Sequence, residues 1–575
     1  MYSKLKRYML VVLTMVTVIA VMSACGKKEE GKDTGEVTST DSNQTSDGTS
    51  KEDTDVAEEG PKDPFGKYEP GITLRGSYYI TGGTQFIPGD PDHDSPEKNM
   101  FITAYKEKLG IDVVYDWVSA DVDAYNTKWN MAMAQNELPD FGLVNETQYK
   151  MLLEADLIMD MTDVFDEYAS DKYKEFLAAD GGATLGYSTQ NGRMMGLPIT
   201  GAQPDSVPIL YIRQDWLDDL GLAVPKTIDE LVAAANAFVE NKMGGPDTYG
   251  MVGNKDIFIY DLGFRGVMNG YGAYPQAWIK DETGKIVYGS IQDKMKAPLL
   301  KLQELYKAGI INEDFAVTDY NIAKEDVAAG KVGIAYGTFY LAPGVADAAK
   351  GEKKAEWAIV ELPTIDGSPA IAQSSVNRSQ FIFVNKECKN PEAVVKLINL
   401  EIDLIYNEDP EVVSKYTSHV IGDKSVQASK YVASVFFSAI PWQNLTIHKN
   451  VLNAFETGNQ DWTIAIAATK YENCKQYEAG DIAQYNNYAI FGPTGAFSVI
   501  GKMLDEGRII LDEYQTLATQ TMTEKEKLLD DTLNTAMIKV IMGEDISVYE
   551  NAVTEWFKNG GQVMTDEVNE WYSQK

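Results

Sequence analysis

The sequence predicts an α/β fold with a largely helical carboxyl-terminal portion. Three observations carry this. Strand and helix patterns alternate as β-α-β-α-β between Ile72 and Val144. The alternation resumes between Val207 and Asn385, and from about Asp403 helical apolar spacing takes over. Such alternation implies a parallel sheet with helices on its faces.

In order, "ITLRGSYYI" from Ile72 has strand character, and "NMFITAYKEKLG" (Asn99–Gly110) has helical spacing with a glycine stop. "IDVVYDWV" (Ile111–Val118) is a second strand, "AYNTKWNMAMAQNE" a helix, and "LPDFGLV" (Leu138–Val144) a third strand. "VPILYIRQ" is a strand. A short helix follows, then a longer one that opens at Thr227 with Glu230 three residues on, the pattern of a capping box. "KVGIAYGTFYLA", "EWAIVELP" and "QFIFVN" (Gln380–Asn385) read as strands, and "NPEAVVKLINLEIDLIY" as a long amphipathic helix. Beyond it, Leu452–Phe455, Trp462–Tyr471 and Ile510–Met542 carry helical spacing.

The amino terminus reads as a leader. Lys4, Lys6 and Arg7 precede an uncharged, mostly apolar run from Tyr8 to Ala24, and Met22-Ser23-Ala24-Cys25 places small residues before a cysteine. The run falls short of the about 20 apolar residues of a spanning helix and has the flanks of a signal peptide. Residues 1–24 are thus expected to be removed and Cys25 to take a diacylglyceryl lipid, whose two chains suffice for stable anchoring. Residues 25–69 are rich in Ser, Thr, Asp, Glu and Gly, and are expected to form a disordered tether.

Composition narrows the partners. The formal net charge of −35 becomes −38 without the three leader cations. Such a surface repels nucleic acids and anionic headgroups. Cys25 aside, only Cys388 and Cys474 remain, read as two buried thiols in preference to one disulfide. His93, His419 and His448 sit in no metal-ligand spacing, and neither a G-x-S-x-G elbow nor a phosphate-binding loop occurs. "GYGAYP" (Gly270–Pro275) lacks the last glycine of a dinucleotide loop. "GDPDHDSPE" (Gly89–Glu97) spaces acids at alternate positions as a calcium loop does, but lacks the turn glycine, so a plain acidic loop is the favoured reading. The chain is rich in aromatics, with 9 Trp, 32 Tyr and 19 Phe. Aromatic faces pack on the apolar C–H faces of sugars.

Several stretches are familiar. "AYKEKLGIDVVYDWV", "NELPDFGLVNETQYKMLLEADLIMDMTDVFDEYAS", "NGRMMGLPIT" and "LYIRQDWLDDLGLAVPKTIDELVAAANAF" resemble family 1 extracellular solute-binding proteins of bacterial ABC importers, in the long aldouronate- or oligosaccharide-type branch of Gram-positive lipoproteins. The carboxyl end, "TLNTAMIKVIMGEDISVYENAVTEWFKNGGQVMTDEVNEWYSQ", looks like that branch's closing helices. The resemblance covers about residue 72 to the end. It implies a two-lobed periplasmic-binding-protein-like clamp of type II. Lobe one is expected at 70–200 and 355–395, lobe two at 201–354 and 396–575. Ligand would favour closure by touching both lobes, and the closed form would present itself to ABC permease subunits. No cofactor is implied, and a monomer is expected.

The ligand residues follow in part from the resemblance. "YGTFYLAPG" lies where the maltose-binding relative carries "NGPWAW", which makes Phe339 and Tyr340 platform candidates, with core packing as the alternative. Tyr271 and Trp278 flank a glycine-rich loop suited to a cleft. Arg378 in "SSVNRSQ" offers a forked donor to hydroxyls or a uronate, or else a structural ion pair. Trp442 sits in the loop "IPWQNL", and Trp117 and Asn145 lie at strand ends, where ligands bind in such sheets. Arg213 reads as hinge structure.

The favoured function is a lipid-anchored importer receptor for an oligosaccharide, without enzyme activity, on the outer face of a single-membrane bacterium. A surface glycoside hydrolase and a receptor for a non-sugar solute such as a peptide are the alternatives, since fold does not fix ligand.

Overall fold

Nine strands form two sheets: β1 (Ile72–Tyr79), β2 (Ile111–Ser119), β3 (Phe141–Val144), β4 (Leu197–Pro198), β5 (Ile209–Arg213), β6 (Tyr249–Met251), β7 (Val332–Gly337), β8 (Trp357–Val360) and β9 (Phe381–Val384). They belong to a computed structural model that describes residues 62–80, 86–199, 206–259, 261–351, 355–374, 380–407, 409–417, 419–421, 424–426, 436, 440–464 and 466–575. The expected leader, Cys25 and most of the tether lie outside the described residues, as does Arg378.

The first sheet has the order β2-β1-β3-β9-β4. β1 runs parallel to β2 and β3, while β9 returns antiparallel between β3 and β4. All four residues of β9 are buried, because both faces are covered. Its alternate side chains serve two cores. Ile382 and Val384 join Phe101, Tyr105, Phe141 and the helix Pro391–Ile405. Phe381 and Phe383 join Trp129 and Tyr149 from the helices Val122–Gln135 and Glu146–Glu154.

The second sheet has the order β6-β7-β5-β8. β6 is parallel to β7, and β5 is antiparallel to both β7 and β8. Its core draws in the helix Ile228–Glu240 through Leu231 and Phe238, and the carboxyl-terminal helices through Leu533, Met537, Trp556 and Met564. The protein is therefore a two-lobed α/β clamp, one sheet to a lobe.

The elements largely follow their sequence signals. Thr227 Oγ1 accepts from the Glu230 N–H at 3.2 Å, and Glu230 Oε2 accepts from the Thr227 N–H at 3.1 Å, closing the expected capping box. The helix Met100–Ala104 continues as one π-helical turn, Tyr105–Leu109, and stops at Gly110, whose φ is 70°. Two boundaries shift. The expected helix over 510–542 spans Gln520–Ile541, because Ile509 and Ile510 pair with Ala372 and Gln373, and Leu517 turns into the first lobe's core. The spacing at 462–471 belongs to a helix over Ile466–Glu478.

The lobe boundaries also differ from expectation. Residues 355–395 were expected in lobe one, yet β8 pairs along β5 from Trp357↔Arg213 to Val360↔Leu210, in the second sheet. Residues from 396 onward were expected in lobe two, yet the helix Pro391–Ile405 is buried along nearly its whole length, and Leu400, Leu404, Tyr416 and Phe436 all enter the first core. Order also begins before residue 70. Tyr68 donates to Glu392 Oε1 at 2.6 Å, and the same helix reaches the carbonyls of Pro64 and Gly66 through Asn399 and Lys396. Cys388 and Cys474 are buried free thiols in different cores. Among the described residues, no helix is long and apolar enough to cross a membrane.

Candidate functional site

In the second lobe, β7 runs toward the end of the sheet where β5 starts, since Gly337 pairs with Ile209. The chain that leaves β4 of the first lobe enters β5 at that edge, where the carboxyl ends of β6 and β7 also lie. Ligands of open α/β sheets bind beyond such ends. Two segments leave them: Val252–Phe264 after β6, and Thr338–Leu341 after β7.

Both segments are built rigidly. Leu262 donates its N–H to Tyr336 O at 2.7 Å and Phe264 donates to Ile257 O at 2.7 Å. Arg265, 7% exposed, donates from Nη2 to Phe258 O at 2.5 Å and so braces the loop from behind. Asp261 is as deeply buried, and its Oδ1 accepts from the N–H and the hydroxyl of Thr338, at 2.6 and 3.0 Å. Burial raises the Asp261 carboxyl above its ordinary range, against those two hydrogen bonds and the Lys324 charge.

A cavity of about 560 Å³ opens against the β6 loop. Lys255, Asp256, Phe258 and Gln276 line it on one side, Asp531 and Asn534 of the helix Gln520–Ile541 on the other. Most of its wall is polar, with Arg265 and Thr535 beside the residues just named, and Ile257, Phe258, Ile259 and Ile538 supply the apolar part. It suits a ligand rich in hydroxyls, since amide, carboxylate and ammonium groups can donate to and accept from them.

Tyr340 and Phe339 are the expected candidates that the structure brings together. Their rings lie 4.0 Å apart, and Phe339 packs in turn on Phe497 at 5.1 Å. Phe339 is buried, 7% exposed, so its core alternative holds; Tyr340 is 58% exposed. A half-open ring tilted by 34° against a buried aromatic base leaves one face that a sugar could cover.

The other candidates are placed separately. Trp117 is half-buried, edge-on to Trp129 at 5.3 Å. Asn145 caps the helix Glu146–Glu154 with its Oδ1, while its Nδ2 donates to Asn126 at 3.3 Å. Both sit against the helix Val122–Gln135, Trp117 on the edge strand β2 and Asn145 just past the central strand β3. Tyr271 is half-buried against the second core. Trp278 is 2% exposed, 5.1 Å from Tyr288, which stacks on Trp556. Its assignment to the ligand is therefore corrected: it is a core side chain, sealed under the hairpin it forms with Tyr288. Trp442 donates from Nε1 to Ala179 O at 3.2 Å and immediately precedes the helix Gln443–Thr457, without a side-chain bond to it. Arg213, read from the sequence as hinge structure, lies away from the cavity. It is 1% exposed at the far end of β5, paired with Asp215 and stacked 4.2 Å from Trp216. In the Gly89–Glu97 loop, Asp90 Oδ1 accepts from the N–H groups of Asp92 and His93 at 2.9 and 3.0 Å, and Asp94 accepts from Gly89, so these carboxylates hold the loop's own backbone.

The lobes meet through a latch. Glu146 Oε1 accepts from the Ala518 N–H at 2.6 Å, and Lys150 donates to Ala518 O and, at 2.7 Å, to Thr523 Oγ1. These contacts tie a first-lobe helix to the start of the helix that carries Asp531 and Asn534 down the cavity wall. The cavity residues escape sequence reasoning because they are assembled from positions more than 250 apart, and the β6 loop carries no motif.

Comparison with known proteins agrees with this architecture. Residues 90–400 match the family model of bacterial extracellular solute-binding proteins, more than half of the chain. Lipoprotein LipO of Bacillus subtilis strain 168 is 23% identical over 84% of this chain and 90% of its own. The polygalacturonan/rhamnogalacturonan-binding protein YtcQ of the same strain is 24% identical over 84% and 90%. Among solved structures, the S. pneumoniae ABC-transporter substrate-binding protein FusA in complex with kestose superposes with a TM-score of 0.56, at 13% identity, over 88% of this chain and 100% of that one. An HMO-binding solute-binding protein from Bifidobacterium longum infantis gives a TM-score of 0.61, at 15% identity, over 87% and 98%. The structural likeness at these identities shows the fold, and the family match over residues 90–400 shows the rest: the chain belongs to the bacterial extracellular solute-binding proteins.

Proposed function

We propose that this protein is the lipid-anchored receptor of an ABC importer, and that it captures an oligosaccharide between its lobes and hands it to membrane permease subunits. The observation that carries the reading is the cleft edge of the second lobe. There an exposed ring on an aromatic base, Tyr340 on Phe339, shares the sheet end with a cavity walled by Lys255, Asp256, Gln276 and Asn534. One apolar face and several hydroxyl partners are what a sugar asks of a site. Sugar-binding relatives such as YtcQ support the choice of ligand. Binding needs no chemistry of these groups, consistent with a family of binding proteins.

The anchor is the lipid on Cys25 once the leader is removed; a relative named as a lipoprotein, LipO, supports it. A tether would hold the receptor at the outer face of the membrane, within reach of its permease. A melting-temperature screen of the mature protein against neutral and acidic oligosaccharides tests the reading. A binder at about 100 times its Kd stabilises the fold by about 2.7 kcal/mol. A broad panel without any shift refutes the sugar assignment.

A further inference from the structure

We propose that Asp261 is a specificity-determining residue of this cleft: one carboxylate oxygen fixes the turn that presents Tyr340, and the other accepts a hydroxyl of a neutral sugar. The proposal rests on the oligosaccharide reading above and names the ligand class within it.

The two oxygens of Asp261 are used unequally. Oδ1 takes both donors of Thr338. Thr338 Oγ1, having donated to Asp261, accepts the N–H of Tyr340 at 3.2 Å. A relay Asp261–Thr338–Tyr340 thus sets the backbone that leads into the exposed ring. Oδ2 receives no donor from the described residues. It is also absent from the polar atoms sealed off without a partner, so it meets solvent. A carboxylate on a residue 7% exposed, with one oxygen spent on the protein and one open, is a preorganised acceptor. It asks for a strong neutral donor, and sugar hydroxyls are that.

The same carboxylate works against an acidic sugar. The charged and titratable neighbours are Lys324 and Tyr320 from the helix Tyr320–Ala328 and Tyr211 from β5. Lys324 is the only cation of that set. The cavity against the same loop carries the Arg265 guanidinium, bonded to the neutral Phe258 carbonyl, and Lys255 beside Asp256, but Asp261 itself is not in its wall. A uronate brought to Oδ2 would set like charges together, and such juxtaposition discriminates by repulsion.

The test uses the mature protein with Asp261→Asn and Asp261→Ala, and two probes of similar length, kestose and trigalacturonate. Hydrogen exchange reads the relay without any sugar. Amides Thr338 and Tyr340 exchange faster in Asp261→Ala, and an unchanged rate overturns the relay. Calorimetry reads the second oxygen. Wild type binds kestose more tightly than trigalacturonate, and Asp261→Asn, which keeps an acceptor for Thr338, weakens kestose about tenfold or more. Affinity also falls as the pH is lowered through the raised range of this carboxyl, and Asp261→Asn flattens that profile. Kestose affinity unchanged in Asp261→Asn, or preference for trigalacturonate, overturns the proposal while leaving a sugar receptor. Silence of both probes in wild type overturns the proposal, and together with a melting screen that finds no saccharide it overturns the sugar reading itself.

Discussion

Tyr340→Ala removes an exposed ring and leaves the aromatic base beneath it. The ring is 58% exposed and its inner face rests on Phe339 at 4.0 Å, so the outer face is the part that ligand can cover. Covering about 50 Å² of ring at about 25 cal/mol per Å² contributes about 1.2 kcal/mol. The ring geometry adds about 0.5–1.5 kcal/mol. The loss of about 2 kcal/mol raises Kd about 30-fold for a saccharide found by the melting screen. The change should hardly move the melting temperature without ligand, since the ring is half in water. Phe339→Ala makes the necessary contrast. That ring is 7% exposed against Phe497, and its loss costs about 3–5 kcal/mol of stability. Calorimetry and thermal melting of the two variants separate platform from base. If Tyr340→Ala binds within twofold of wild type, Tyr340 is not a platform and the cleft reading loses its aromatic half.

Trp278→Ala should cost about 3–5 kcal/mol of stability in a denaturant titration, with affinity unchanged in whatever folds, because the ring is core and not cleft. Cys25→Ser should release the protein from cells into the medium, as fractionation would read. Lys150→Ala breaks the latch to Ala518 and Thr523, and should change ligand affinity with no contact to ligand lost, because closure alone is altered. Asp530 gives a pH dependence. Burial pushes its carboxyl up to about 7 from 3.8, against the hydrogen bond it accepts from the Tyr288 hydroxyl. The folded state therefore holds the proton more tightly than the unfolded one. That stability is present below about pH 4 and is lost as pH rises through about 7, and Asp530→Asn should flatten the slope between those limits.

What the sequence could tell depended on how local the cause was. The β-α-β alternation, the Thr227 capping box and the Gly110 stop are written within a few residues each, and the fold repeats them. Non-local causes were illegible. The strand Trp357–Val360 was placed in the wrong lobe because its partner, β5, lies about 150 residues earlier. Trp278 was read as a loop ring because glycines precede it, but Gly289 lets the chain pass so close to Tyr274 that the hairpin folds Trp278 inward. A Cβ there would lie 1.8 Å from Tyr274 O. Phe339 and Tyr340 were found together by their resemblance, but which of the two meets solvent is decided by Phe497, far along the chain. The cavity wall at Asp531 and Asn534 carries only ordinary helix residues and had no signal to read.

The central claim is capture without turnover, and one titration addresses it. Calorimetry of the mature protein with the saccharide that most raises its melting temperature should give one site per chain, with the sugar recovered at its original length. Sustained heat beyond one equivalent, with shorter sugars accumulating, would contradict the account and make the protein a hydrolase.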